Sequence, residues 1–96
     1  MVKVVIKKST RDGKKFMAIF TFDDDKKKTI HFGSAGSDDF TRTGDEEQKK
    51  RYLARHKARE NWNKYDSAGA LSRWVLWNKR SLTESIKDYK KRFNLG

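Results

Sequence analysis

In the first third of the chain, apolar and polar residues trade places almost step by step. Val2, Val4 and Ile6 alternate with Lys3, Val5 and Lys7. Phe16, Ala18, Phe20 and Phe22 alternate with Lys15, Met17, Ile19 and Thr21, and Ile30 and Phe32 with Thr29, His31 and Gly33. A period of two suits strands with one buried face, because successive side chains point to opposite sides of a sheet. Three short strands are therefore expected within residues 2–33. Asp12-Gly13 marks the first turn, since glycine takes positive φ cheaply. Asp23-Asp24-Asp25 followed by Lys26-Lys27-Lys28 forms the charged tip of the second. The expected result is a three-stranded antiparallel β-meander with Phe16, Phe20, Phe22, Ile30 and Phe32 facing inward. The other face, with Val5, Met17, Ile19 and His31, is apolar enough to pack on a partner or on the protein's own helices.

Beyond residue 33 the period lengthens. Gly33 to Asp39 reads as a loop by composition. Thr43 and Glu46 match a capping box, and Asp45, Glu46 and Glu47 suit the positive end of a helix dipole. The helix that follows is expected to run to about Asn63, with Ala54, Ala58 and Trp62 as its apolar stripe and Tyr65 nearby if it extends. Asp66-Ser67-Ala68-Gly69 breaks it. Leu71 to Trp77 reads as a short buried helix, with Leu71, Trp74 and Val75 on one side and Leu76 and Trp77 on another. Ser81 and Glu84 form a second capping-box match. They open a helix whose Leu82, Ile86, Tyr89 and Phe93 make one continuous stripe opposite Lys87, Asp88, Lys90, Lys91 and Arg92. The architecture expected is α+β in a single domain, residues 1–96: a meander over 1–33, then a helical part over 44–96, with two or three helices packed on one face.

Composition gives this frame a direction. The chain has 24 Lys+Arg against 13 Asp+Glu, a net charge of +11 in 96 residues. Charge spread between well-formed hydrophobic patterns describes a folded domain with a strongly positive surface, which seeks a polyanion. With 34% hydrophobic and 39% charged residues, the core must draw on large aromatics, including six Phe and three Trp. There is no cysteine, which excludes disulfides, thiolate nucleophiles and Cys-based zinc sites and favours an intracellular setting. Apolar stretches such as Met17-Ala18-Ile19-Phe20 are far too short to span a bilayer, so no membrane partner is expected. The first eight residues lack a signal-peptide core, so secretion by that route is not expected either.

The basic residues are not evenly spread. Between Lys49 and Lys64 the only acid is Glu60. Arg51, Arg55 and Arg59 recur every four residues, which on a helix aligns them over roughly 12 Å at a rise of ~1.5 Å per residue, about two nucleotide steps of duplex backbone. Like charges at this spacing repel. Phosphates could supply the missing counter-charges; alternatively the row is a solvated face, paired with Asp38-Asp39 or Asp23 to Asp25. Tyr52 and His56 lie beside the row, off the apolar stripe, as candidates for base stacking. Most other aromatics are expected in the core. His31 and His56 have no companion ligands at metal-site spacing, so they read as a strand-face and a helix-surface histidine, and no metal or cofactor is expected. The triple Asp, Asp12-Gly13-Lys14 and Glu47-Gln48-Lys49 loosely match pieces of metal-nuclease sites. A hairpin tip flanked by lysines is more simply a soluble turn, and no catalytic residue is assigned.

The segment Ile30–Leu95 resembles a family of short, basic, uncharacterised proteins encoded by large nucleocytoplasmic DNA viruses of algae and amoebae. The resemblance rests on His31-Phe32-Gly33-Ser34, Lys50-Arg51-Tyr52, Arg55-His56-Lys57 and Glu60-Asn61-Trp62. It continues in Ser72-Arg73-Trp74, Leu76-Trp77-Asn78 and the run Ser85 to Phe93. The resemblance supplies no activity. It implies a viral origin, a role with viral DNA such as its packaging or a place in the virion, and a location in the host nucleus, the cytoplasm or viral factory, or the virion. The function expected is a non-enzymatic nucleic-acid-binding protein that engages phosphate backbone, duplex DNA ahead of RNA, with weak sequence preference. Lys50, Arg51, Tyr52, Arg55, His56, Lys57 and Arg59 would form its surface, joined by Lys87, Lys90, Lys91 and Arg92 if the two long helices lie side by side. The alternatives are a virion structural or adaptor protein docking on an acidic protein surface and, remotely, a small metal-dependent nuclease.

Overall fold

A computed structural model describes residues 1–96. Strands β1 (Lys3–Lys8), β2 (Lys14–Thr21) and β3 (Lys27–Ser34) form an antiparallel sheet in the order β1-β2-β3. Val4 stands opposite Phe20 and Ile6 opposite Ala18, while Phe16 meets Phe32 and Ala18 meets Ile30. The register thus gathers the predicted inward residues on one face. Val4, Ala18, Phe20 and Phe32 are buried, and Ile6, Phe16, Phe22 and Ile30 pack half-buried around them. Gly13 turns the first hairpin at φ 84°, and at the second tip Asp24 accepts the Lys26 amide at 3.2 Å.

The helical layer consists of α1 (Phe40–Thr43), α2 (Glu46–His56), α3 (Ala68–Leu71) and α4 (Leu82–Arg92), with α3 running straight into one π-helical turn, Ser72–Leu76. Leu71, Val75, Leu76, Trp77 and Tyr89 bring the core up against the inner face of the sheet. The π-turn lies against β3 because Gly33, at φ 78°, carries no side chain: a Cβ there would come within 2.8 Å of Leu76 Cδ1. Tyr65 stands edge-on to Phe20 at 5.6 Å and tilted to Phe93 at 6.2 Å, and it accepts the Tyr89 hydroxyl at 2.7 Å on its backbone carbonyl. This aromatic chain ties the sheet to α4. At the C-terminus, Leu95 is buried and Gly96 exchanges two backbone hydrogen bonds with Val2 and Val4, covering part of the free edge of β1.

The α4 stripe is as the spacing predicts, capped by Ser81, whose Oγ accepts the Glu84 amide at 3.3 Å. The α2 expectation needs three corrections. Its N-cap is Asp45, which accepts from the Glu47 and Gln48 amides, while Thr43 ends the unpredicted α1. The helix stops at His56, because the Arg59 and Glu60 amides both turn back onto the His56 carbonyl. Glu60 then accepts Trp62 Nε1 at 3.0 Å and meets His56 Nδ1 at 3.2 Å, so the curl satisfies three side chains at once. Finally, the inward stripe is Lys49, Tyr52, Leu53 and His56, and Ala54 and Ala58 face solvent. A tyrosine, a leucine and an imidazole bury far more surface than two methyl groups, so the helix rolls that way.

No helix covers the outer sheet face. Val5 remains 51% exposed, and His31 bonds Ser9 Oγ through Nδ1 at 2.7 Å.

Candidate nucleic-acid interface

With Lys49, Tyr52, Leu53 and His56 turned inward, the helical repeat turns Lys50, Arg51, Arg55 and Lys57 outward, and all four are exposed. Arg59 is exposed too, although it lies in the turn after the helix rather than on its last turn. None of the five has an acid within ion-pair distance. Four of the five acids that could have neutralised them are engaged elsewhere. Asp39 is buried, caps α1 through the Thr41 amide at 2.9 Å and binds Lys15. Asp38 pairs with Arg42 at 3.7 Å, Asp23 with the N-terminal ammonium, and Asp24 with Lys26. Glu46 and Glu47 sit four residues before Lys50 and Arg51 but form no pair with them; they occupy the first turn, where the helix dipole favours negative charge.

Arg55 and His56 also line one wall of an open cleft of about 530 Å³. Lys14, Ser34 and Ser37 border it on the side of the sheet and its following loop, and Tyr52, Leu76 and Trp77 form its apolar side. The cleft extends from the exposed cationic face of α2 towards Lys14, and its guanidinium, ammonium and hydroxyl donors alternate with the carboxylates of Asp38, Asp39 and Glu60. Such donors bind phosphate oxygens and say little about base identity.

Tyr52 is unavailable as a stacking platform. Its ring lies between Trp77, at 4.3 Å and 8°, and His56, at 4.1 Å and 23°. Burial, with the charge of Glu60 adding to it, pushes its hydroxyl up to about 12. His56 is the outer end of this stack, half-buried, and not the plain surface histidine its position suggested.

The second half of the expected surface does not join the first. The neighbour of α4 is the π-turn, not α2. Lys87 pairs with Glu84 at 3.8 Å, and Arg92 pairs with Asp88 at 3.3 Å while lying 3.7 Å over the Trp74 ring. Lys90 is half-buried and Lys91 exposed, neither with an ion-pair partner. Pattern reading did not find Lys14, which the hairpin brings to the rim of the cleft, nor Arg73, which stacks 4.1 Å over Trp74. Arg73 sits in an apolar run, and a lone cation in such a run was the signal available.

Residues 4–56, more than half of the chain, match the model of a family of unknown function, DUF5754. The matched segment begins in β1 and ends with the last residue of α2, so it contains Arg51 and Arg55 but neither Arg59 nor Trp74. No curated protein and no solved structure gives a match.

Proposed function

The chain belongs to that family of unknown function, and we propose that it is a non-enzymatic nucleic-acid-binding protein that engages phosphate backbone, duplex DNA foremost, through the outer face of α2. One observation carries the reading: Lys50, Arg51, Arg55, Lys57 and Arg59 are exposed together without a single acidic partner, while Asp23, Asp24, Asp38 and Asp39 are committed to other cations. Unpaired cations at this density repel one another, and a row of phosphates relieves the repulsion while releasing counterions into bulk solution. Contacts of this kind fix position and carry weak sequence preference. A role on viral DNA, the setting implied by the resemblance, belongs to the same proposal.

The test is a salt titration of duplex affinity. Engagement of ~5 phosphates gives a log–log slope of roughly −4.5, and Arg51→Gln/Arg55→Gln/Arg59→Gln reduces it by up to ~3 on every sequence alike. A folded triple variant that binds as tightly as the parent overturns the reading. So does equal displacement of duplex and heparin, which would assign the face to acidic polymers in general, an acidic protein among them.

A further inference from the structure

The outer face of the sheet lies opposite the helical layer, and the register sets its side chains in rows across the strands. Val5, Ile19 and Thr29 make the middle row. Lys7, Met17 and His31 stand on one side of it, and Lys3, Thr21 and Lys27 on the other. A sheet face left to water ordinarily presents polar residues along every strand. Here β2 presents Met17, Ile19 and Thr21, with Val5 beside Ile19, and the lysines are confined to the corners. Val5 is 51% exposed, which no other large apolar side chain except Met1 matches. Ser9 and Thr10 close one end of the strip: Ser9 Oγ bonds His31 Nδ1 at 2.7 Å, and Thr10 Oγ1 donates to Met17 Sδ at 3.9 Å.

The charge on this face has one sign. Lys3, Lys7 and Lys27 are exposed, and none of them has an ion-pair partner. No acid stands in the rows. Carboxylates enter only in the turns beyond them, Asp12 at one end and Asp23 to Asp25 at the other, where Asp23 and Asp24 already pair with the N-terminal ammonium and Lys26. The apolar strip along β2 therefore runs between lysine shoulders on β1 and β3, two strand spacings or about 10 Å apart. An α-helix is about 10 Å across. Along β1, Lys3 and Lys7 are about 14 Å apart, the rise of roughly nine helical residues.

We propose that the outer face of the sheet docks an acidic amphipathic helix of a partner protein, laid along β2. Its apolar stripe covers Val5, Met17 and Ile19, and its acids lie beside Lys3, Lys7 and Lys27. Charge complementarity selects this occupant. A second copy would set lysine against lysine, in a chain of net charge +11. A nucleic acid would use the lysines but leave the apolar strip idle, and the only ring on the face is the His31 imidazole, already held by Ser9. A bilayer is gripped by apolar side chains that insert, and of the three here only Val5 is exposed while Met17 and Ile19 are half-buried. The surface lies across the sheet from α2 and does not rest on the reading of that helix. All its positions except Lys3 fall within residues 4–56, the segment matched by the family.

The probe is a synthetic peptide of about three helical turns, with leucine along one stripe and glutamate on both flanks. A scrambled peptide of the same composition is the control. In NMR titrations of the full chain, the methyl signals of Val5, Met17 and Ile19 should shift saturably with the amphipathic peptide, which should bind about tenfold or more tightly than the scrambled one. Ile19→Thr keeps the branching that suits a strand but loses apolar contact, and should weaken binding about tenfold. Should that variant fail to fold, Val5→Thr, at a position already exposed, carries the same expectation. Lys3→Gln/Lys7→Gln/Lys27→Gln should weaken binding about tenfold at low salt and less at high salt. Equal affinity for the scrambled peptide, shifts confined to α2, or unchanged affinity in a folded Ile19→Thr or Val5→Thr variant overturns the proposal. Phosphatidylserine vesicles, a single-stranded oligonucleotide and the chain itself at rising concentration are tested on the same methyl signals. If any of them shifts these signals at lower concentration than the peptide does, the face belongs to that partner and the proposal falls.

Discussion

Helices α2 and α4 have the same length, 11 residues, and both are rich in Lys and Arg, yet the fold uses them in opposite ways. In α4, Ser85 and Tyr89 are buried, Leu82, Ile86 and Phe93 extend the stripe, and Lys87 and Arg92 find acids three and four residues earlier. In α2 no residue is buried, and its outward cations find no acid at all. The comparison teaches that basicity by itself distinguishes little. A charge that meets an acid on its own helix face is part of a solvated surface, worth a few tenths of a kcal/mol. A row without such acids, on a helix contributing little to the core, is free to serve a partner. Under the proposed function, stability and recognition are divided between two helices of similar composition.

The sharpest way to break this comparison is to remove the anchor from each helix. Tyr89→Ala takes a wholly buried ring out of α4 together with its hydrogen bond to Tyr65, and should cost about 3–5 kcal/mol, a large share of the stability of a domain this size. Leu53→Ala removes the half-buried leucine of α2 and should cost about 1 kcal/mol, since much of that side chain already meets water. Denaturant midpoints measure both. Equal losses would show that α2 is as deeply anchored as α4 and would end the distinction.

Alkaline titration sharpens it from another side. Tyr52 is raised from its ordinary 10.0 to about 12 by burial and the charge of Glu60, and Tyr89 is raised further by burial and Asp66. Between pH 10 and about 12 the unfolded chain releases protons from these phenols that the folded chain keeps. Each therefore contributes stability that is complete below pH 10 and is lost as pH rises through the folded value. Ultraviolet titration of the phenolates should show Tyr52 ionising before Tyr89, with the α2 stack opening before α4 lets go. Simultaneous ionisation at pH 10 would contradict the burial of both rings.

How far the chain itself revealed this division follows from the length of each signal. Alternation over eight residues fixes which face of β2 is buried, because shifting by one would expose Phe16, Ala18 and Phe20 together. The α4 stripe, read over three turns, is equally unambiguous. In α2 the spacing of Ala54, Ala58 and Trp62 competed with that of Tyr52, Leu53 and His56, and the choice depended on what waited opposite. Trp77, the residue that caps the π-turn, decides it by stacking on Tyr52, a long-range contact with no trace in local periodicity. The exposed cations of α2 were legible as a charge pattern. Whether acids would meet them was not, because Asp39 is withdrawn by Lys15, 24 residues away in sequence. The pair of guanidinium groups over Trp74 was hidden for the same reason: Arg73 and Arg92 come together only when α4 docks on the π-turn.

The smallest expected effect tests the division most directly. Asp45 caps α2 by accepting two amides, at 3.0 and 3.1 Å, and Ser81 caps α4 by accepting one, at 3.3 Å. Replacing either cap with alanine removes about 1 kcal/mol from its helix. Where that loss appears depends on how the helix is joined to the rest. Because α2 is held only by half-buried contacts, it can open without the core, so Asp45→Ala should speed amide exchange about fivefold within residues 46–56 and leave β2 as protected as before. Because α4 carries Tyr89 in the core, Ser81→Ala should instead lower the protection of α4 and β2 together. Duplex affinity should fall in Asp45→Ala, whose cationic row needs an ordered helix to hold its spacing, and stay level in Ser81→Ala. If Asp45→Ala lowers the protection of β2 as much as that of α2, the two helices belong to one cooperative unit, and α2 cannot be the loosely joined recognition element of the proposed function.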